Sequence, residues 1–295
     1  MFIVSGIRYA NRYIRNIVKA LLLDMKRILV RRVRARHPRA PVTNAQTGGK
    51  KVIDNEVIRK FNPSILNLGD ISSPCREKEA VAAALDLTGF TVFCSQVDSY
   101  LAIPRFLNDF LEWFFHSIRD GLTEEDFGNR RAFWADFPLL VKFLGDGVLL
   151  VWDTQRMTED QICRIVTTLH NICFNYRQEF YPRISRVVNK PPSVLRCGMA
   201  RGKVFTIGDG KDFVGHCINN ASRLSHLQSL TFCFPHRGFP VREHLPVEYL
   251  RLFVPKYVSI RGVGDNELVW IVREEFDRLS ERERALFRDL ETITR

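Results

Sequence analysis

The stretch KFLGDGVLLVWD, Lys142 to Asp153, sets an aspartate between two glycines inside a run that is otherwise apolar. The residues on either side, PLLVKFL and VLLVW, read as two strands of a hairpin with Gly145, Asp146 and Gly147 at its turn. Taken alone, G-D-G is an ordinary hairpin turn. A bare carboxylate between two core strands nevertheless asks what it serves.

Outward from this hairpin the chain alternates strand and helix signals from about residue 79. EAVAAALDL is a short apolar run stopping at TGF, as a buried strand does at a glycine turn. Ile103, Phe106, Leu107, Phe110, Leu111, Phe114 and Ile118 mark one face of a helix of about five turns. Thr158 with Gln161 three residues later forms a capping box, opening a helix whose apolar face is Ile162, Ile165, Val166, Leu169 and Ile172. VLRCGMA and KVFTIG read as two strands around a glycine, and a third helix starts near Cys217, with His216 as a helix-start residue. TFCFP, YVSIRGV and ELVWIV supply further strands. The order strand, helix, hairpin, helix, strand predicts an α+β fold of the ferredoxin-like, split βαβ kind, with an antiparallel or mixed sheet and helices on one face.

On that plan the strand ending at Asp86 and the hairpin carrying Asp146 lie about 5 Å apart in the sheet, and both carboxylates emerge at one edge. Two such charges about 4 Å apart repel by roughly 4 kcal/mol at an effective dielectric near 20. A shared proton relieves this, and so does a hard divalent cation; carboxylates beside a backbone carbonyl are ligands that magnesium prefers.

Charge divides the chain sharply. Residues 1–50 carry twelve Lys and Arg against the single acid Asp24, and so hold the whole net charge of +11; the other 245 residues carry 32 basic and 32 acidic groups. An enzyme acting on duplex nucleic acid spreads basic residues around its site, and here the globular part is neutral. Within the arm, Ile14, Ile17, Val18, Leu21 and Leu22 recur at helical spacing between arginines, which describes a basic amphipathic helix without the apolar run of about 20 residues that spans a bilayer. Three readings fit it: a helix packing on a partner chain, a contact to anionic lipid or nucleic acid, or a start at Met25. APVTNAQTGG, 40–49, reads as a linker. The seven cysteines include no C-x-x-C pair, which argues against a disulfide framework or a zinc site and fits a reducing cytoplasm. Cys94, Cys173 and Cys217 read as small core residues. The expected organisation is an arm over 1–39, a linker and approach segment over 40–78, a folded domain over 79–272 and a C-terminal helix over 273–295. That last helix places Phe276, Leu279, Leu286 and Leu290 at helical intervals.

Four segments, in order, carry a resemblance. DLTGFT (Asp86 to Thr91), VKFLGDG, GMARGKVFTIG and DFVGHCINNASRL resemble the signature segments of class III nucleotidyl cyclase catalytic domains. The resemblance covers about two thirds of the chain, roughly 80–272. It implies that Asp86 and Asp146 hold two Mg²⁺ or Mn²⁺ ions on a nucleoside triphosphate, with the Leu87 carbonyl as an extra ligand. It further implies that Asn219 and Arg223, one turn apart on a helix, orient the ribose and stabilise charge on the α-phosphate. Lys142 and Asp212 match the base-contacting positions, Arg261 stands where a basic residue meets the terminal phosphates, and Phe90 and Thr91 fall in the substrate-facing segment. The active unit implied is a head-to-tail homodimer with shared sites. Gly208 to Gly215 spans seven residues where purine cyclases have about a dozen, which narrows the base pocket. With IGDGKDFVGHCINNASRL and LDLTGFTVFC, the chain looks like the pyrimidine cyclases of bacterial Pycsar antiphage systems, whose cyclic UMP or cyclic CMP activates a separate effector. UTP is the expected substrate, with CTP next and ATP the reading of the Lys142 and Asp212 pair by purine rules. The non-enzyme alternative is a silent cyclase-like dimerisation module.

Overall fold

The structure is a computed structural model that describes residues 54–62 and 66–290. The basic arm expected over 1–39 lies outside the described residues. The chain forms two compact units, one of residues 1–69 with 127–130 and one of 70–126 with 131–295. In the first unit, α1 (Asn55–Lys60) opens where the Asp54 carboxylate accepts the Glu56 N–H at 2.7 Å.

The second unit is built on a nine-stranded sheet. Its centre is β1 (Glu77–Thr88), which pairs antiparallel with β5 (Gly147–Asp153) on one side and along its whole length with β6 (Val194–Ile207) on the other. Beyond β5 lies β4 (Leu140–Phe143), the other arm of the expected hairpin. Beyond β6 come β8 (Phe232–Pro235), β10 (Gly264–Val272), β9 (Phe253–Ile260) and the short β11 (Phe287–Arg288). Among the described residues only β6–β8 is parallel, so of the antiparallel or mixed sheet expected the structure has a mixed, mostly antiparallel one. Strand β7 (Asp212–Val214) pairs with the far end of β6.

Alternation along β1 assigns its side chains to two layers. Val81, Ala83, Leu85 and Leu87 join one core cluster with the long helices α3 (Ser99–Leu122) and α4 (Glu159–Asn175). Helix α3 buries Phe106, Phe110, Phe114 and Ile118, the predicted face, and α4 starts at the predicted capping box of Thr158 and Gln161. Ala80, Ala82 and Ala84 belong to a second cluster on the opposite face, with Val204, Phe213, Cys217 and Ala221. That face is covered by α6 (His216–Leu224). The expectation of helices on one face is therefore corrected: β1 presents alanines on its second face, and small side chains let a helix backbone come close. At Gly198, opposite Ala84 in the ladder, an added Cβ would lie 2.2 Å from the Ala221 carbonyl oxygen.

Three further expectations change. VLRCGMA and KVFTIG are one fourteen-residue strand, because the twelve residues of β1 pair across Gly202 without a break. β1 begins at Glu77, inside the stretch read as an approach segment, because backbone pairing of Glu77 with Phe205 extends the strand through charged residues that show no apolar pattern. The C-terminal helix is instead α9 (Arg273–Arg278), α10 (Glu281–Arg284) and β11. Ser280 caps a new turn with Glu283, and burial of Leu279 and Phe287 bends the segment back so that Phe287 pairs with Val258 on the sheet edge. Among the described residues, no helix is long and apolar enough to cross a membrane.

Phe110 lies between α3 and the aromatic rings of Tyr176 and Phe180 with no exposed surface. Phe110→Ala is expected to cost about 3–5 kcal/mol in urea unfolding, and Thr158→Ala about 1 kcal/mol through loss of the cap.

Candidate active site

The two aspartates meet at the edge that the sheet register dictates. Asp86 pairs with Gly147 across the β1–β5 ladder, and the Leu87 N–H donates to the Asp146 carbonyl at 2.8 Å. Gly147 allows this approach: a Cβ there would stand 2.0 Å from the Leu85 carbonyl oxygen. The turn residue Asp146 is exposed, whereas the Asp86 side chain keeps only 17% of its surface. Burial raises the Asp86 pKa; His226 and Arg196 pull it down, and the neighbouring Asp146 pushes it up. The Leu87 side chain is buried in the core cluster with α3 and α4.

The same face carries α6. Asn219 and Arg223 are both exposed on it, one turn apart. The guanidinium of Arg223 lies against Gly262 of the β9–β10 turn, where a Cβ would stand 2.6 Å from Nη1. Arg261 therefore belongs to the same corner as Arg223, joined by a turn nearly forty residues further along the chain. At the other end of the face, Lys142 on β4 and Asp212 at the start of β7 form a direct hydrogen-bonded ion pair. The Asp212 carboxylate also accepts its neighbour Phe213 N–H at 2.9 Å. Thr91 is exposed on α2 (Phe90–Cys94), but Phe90 is a core residue whose ring packs on Phe93 and Phe106 at 5.9 and 6.3 Å. The reading of Phe90 as a substrate contact is corrected to that extent: its ring is turned into the helix-side core.

Two residues near Asp86 carry no signal in the spacing used above. Arg196 sits directly opposite Asp86 on β6 and donates to the Gln228 carbonyl at 3.2 Å. His226, just past the end of α6, places Nε2 3.7 Å from Asp86 Oδ1. The register of β1 with β6 points to Arg196 once both strands are known; His226 lies one further turn along the face of Asn219 and Arg223.

The donor chemistry suits a hard cation. Two carboxylates, one on β1 and one in the turn before β5, with Asp86 drawn into a half-buried position, leave a concentration of negative charge at one edge. Among the described residues, no three His, Cys, Asp or Glu side chains already converge as a metal cage. Magnesium is bound in such cases by one or two carboxylates completed by phosphate oxygens and water, so the pair fits a nucleotide-bound Mg²⁺ or Mn²⁺. A cavity of about 920 Å³ beside α4, lined by His170, Arg177, Tyr249 and Arg273, contains none of these residues.

Comparison with solved structures supplies an independent measure of the architecture. The chain is similar to the adenylyl cyclase CyaB from P. aeruginosa, at 14% identity and a TM-score of 0.51, over 68% of this chain and 95% of that one. The fold is that of a class III nucleotidyl cyclase catalytic domain. The guanylyl cyclase Cya2 (18% identity, 67% and 92% of the two chains, TM-score 0.49) and the guanylate cyclase domain of RhGC from Catenaria anguillulae (19%, 67% and 98%, 0.48) also match. No protein-family profile and no curated protein sequence matches the chain.

Gly262 adopts φ +71°, a backbone conformation that costs a side-chain-bearing residue about 1–2 kcal/mol. Gly262→Ala is expected to lose about that much stability and to push the Arg223 guanidinium off the turn, as a crystal structure of the variant would show.

Proposed function

We propose that the chain is a nucleotidyl cyclase that converts UTP to 3′,5′-cyclic UMP and pyrophosphate, as a head-to-tail homodimer with two shared sites. The observation that carries this reading is the gathering, on one face of a cyclase fold, of the carboxylates Asp86 and Asp146 with Asn219, Arg223 and the Lys142–Asp212 pair. In the shared site the aspartates come from one chain and Asn219 with Arg223 from the other.

Asp86 and Asp146 would hold two Mg²⁺ or Mn²⁺ ions against the triphosphate, which would supply a lowered pKa at the ribose 3′-hydroxyl and charge neutralisation on the phosphates. Asn219 orients the ribose so that its 3′-oxygen faces the α-phosphorus in line with the departing pyrophosphate. Arg223, held against Gly262, places its guanidinium where charge builds on the α-phosphate as the new P–O bond forms and the bond to pyrophosphate breaks. Arg261 meets the terminal phosphates from the adjoining turn.

Lys142 and Asp212 offer a donor and an acceptor side by side. That pair matches O4 and N3–H of uracil, N3 and N4–H of cytosine, and N1 and N6–H of adenine alike, so hydrogen bonding alone does not choose among them. Space supports the pyrimidine. The β6–β7 hairpin closes at the Ile207–Asp212 pair, which leaves four residues in the turn beside Asp212. CTP is the next reading, and the ion pair, read by purine rules, favours ATP. The cyclic product would act on a separate effector in antiphage defence, and the basic arm would meet anionic lipid or a partner chain.

Purified protein incubated with Mn²⁺ and each of the four ribonucleoside triphosphates tests this directly. Chromatography is expected to show cyclic UMP from UTP, none from Asp146→Ala or Arg223→Ala alone, and product again when the two variants are mixed. Cyclic CMP or cyclic AMP instead would reassign the base, absence of any cyclic product would remove the cyclase, and failed complementation would remove the shared site.

A further inference from the structure

We propose that the open cavity beside α4 is a second ligand site, separate from the candidate active site, and that it binds a phosphate monoester with a flat apolar body, of about the size of a nucleoside monophosphate. The proposal does not depend on the cyclase reading, because none of the residues assigned to that reading lines the cavity.

Segments far apart in the chain converge on this cavity: the end of α4, the connection from α6 to β8 at Thr231, residues 248–252 before β9, and the junction of β10 with α9. Its volume of about 920 Å³ lies in the range that holds small organic ligands. Directly after α4 the chain makes one turn of π-helix, Tyr176–Phe180, closed by the Tyr181 N–H on the Tyr176 carbonyl. Such turns are rare and recur at functional sites, since the wider turn re-aims the side chains it carries. Here Tyr176 and Phe180 go into the core, while Arg177 and Gln178 are exposed and line the cavity.

The charged groups of the lining decide the ligand. Four arginines face three glutamates there. Glu274 is paired with Arg278 at 3.1 Å, and the Glu275 carboxylate accepts the Thr231 N–H at 2.8 Å together with the Thr231 hydroxyl. Arg273 donates from Nε to the Arg251 carbonyl at 3.4 Å and from Nη2 to the Phe253 carbonyl at 3.2 Å, so its charge meets no carboxylate. Among the described residues, the side chains of Arg177 and Arg251 have no partner, and Glu248 is the one carboxylate of the lining without one. Three guanidiniums, each from a different segment, are thus left for an anion. One guanidinium fills both oxygens of a carboxylate, whereas the three outer oxygens of a phosphate monoester take donors from several, so the set matches phosphate. Burial lowers the His170 pKa, so that ring adds no charge at neutral pH. Phe174, Val194, Leu252 and Val272 make the rest of the lining apolar, and Phe174, 56% exposed at the end of α4, offers aromatic surface to a flat body.

Titration calorimetry of the full chain with AMP, adenosine, phenyl phosphate and benzoate tests the assignment, in EDTA so that no divalent ion serves the candidate active site. AMP and phenyl phosphate are expected to bind saturably, and adenosine and benzoate, which lack the phosphate, about tenfold or more weakly. Arg177→Gln and Arg251→Gln are each expected to weaken AMP about tenfold or more, and Phe174→Ala to weaken it as well. All three side chains are exposed, so these replacements leave the packed core untouched. Asp146→Ala and Arg223→Ala should bind AMP as the wild type does. No saturable binding in EDTA, or AMP affinity unchanged in the Arg177→Gln/Arg251→Gln double variant, overturns the site and leaves the cyclase reading standing. Benzoate binding as tightly as phenyl phosphate overturns the phosphate assignment, and loss of AMP in Arg223→Ala returns the binding to the candidate active site.

Discussion

The hydrogen bond from the Leu87 N–H to the Asp146 carbonyl fixes how far β5 and its turn slide along β1, and the candidate site depends on that register. A slip of β5 by one residue would turn its side chains to the opposite faces and carry the Asp146 turn out of step with Asp86. Gly147 makes the close approach sterically possible, and the long pairing of β1 with β6 resists a slip from the other side. The carboxylate pair is therefore a product of backbone pairing before it is a product of side-chain chemistry.

Placing those two charges together has an electrostatic cost, which burial of Asp86 increases. Arg196 and His226 offset part of it from within the chain. Both come from the face of the sheet that α6 covers, so the elements that balance Asp86 also carry Asn219 and Arg223. The two layers divide the work accordingly. Large aromatic residues on α3 and aliphatic residues on α4 provide the packed layer against the sheet, while alanines and Gly198 on the other face keep space small enough for one short helix. Mechanical support and chemistry are placed on opposite sides of the same strands.

Arg223 and Arg261 show how the site gathers distant segments. The guanidinium of Arg223 rests on Gly262, whose missing Cβ leaves the room the guanidinium occupies. Lys142 and Asp212, seventy residues apart, are joined because β4 reaches the sheet through β5 while β7 folds back on β6. In each case a turn ending on a sheet edge delivers one member and a neighbouring element the other.

Local pattern alone determined the hairpin at Asp146, the capping box at Thr158 and the buried face of α3, because each follows from periodicity or a short-range hydrogen bond within a few residues, while the order of elements limited the sheet to antiparallel or mixed. The motif order also brought Asp86, Asp146, Asn219 and Arg223 forward as a set. Only the tertiary structure decided that α6 lies on the face opposite the long helices, that Phe90 turns into the core, that Phe287 and Arg288 form an edge strand, and that Arg196 and His226 flank Asp86. These depend on which strands pair and in what register, and on burial of residues far apart in the chain. No spacing within a single segment encodes such contacts.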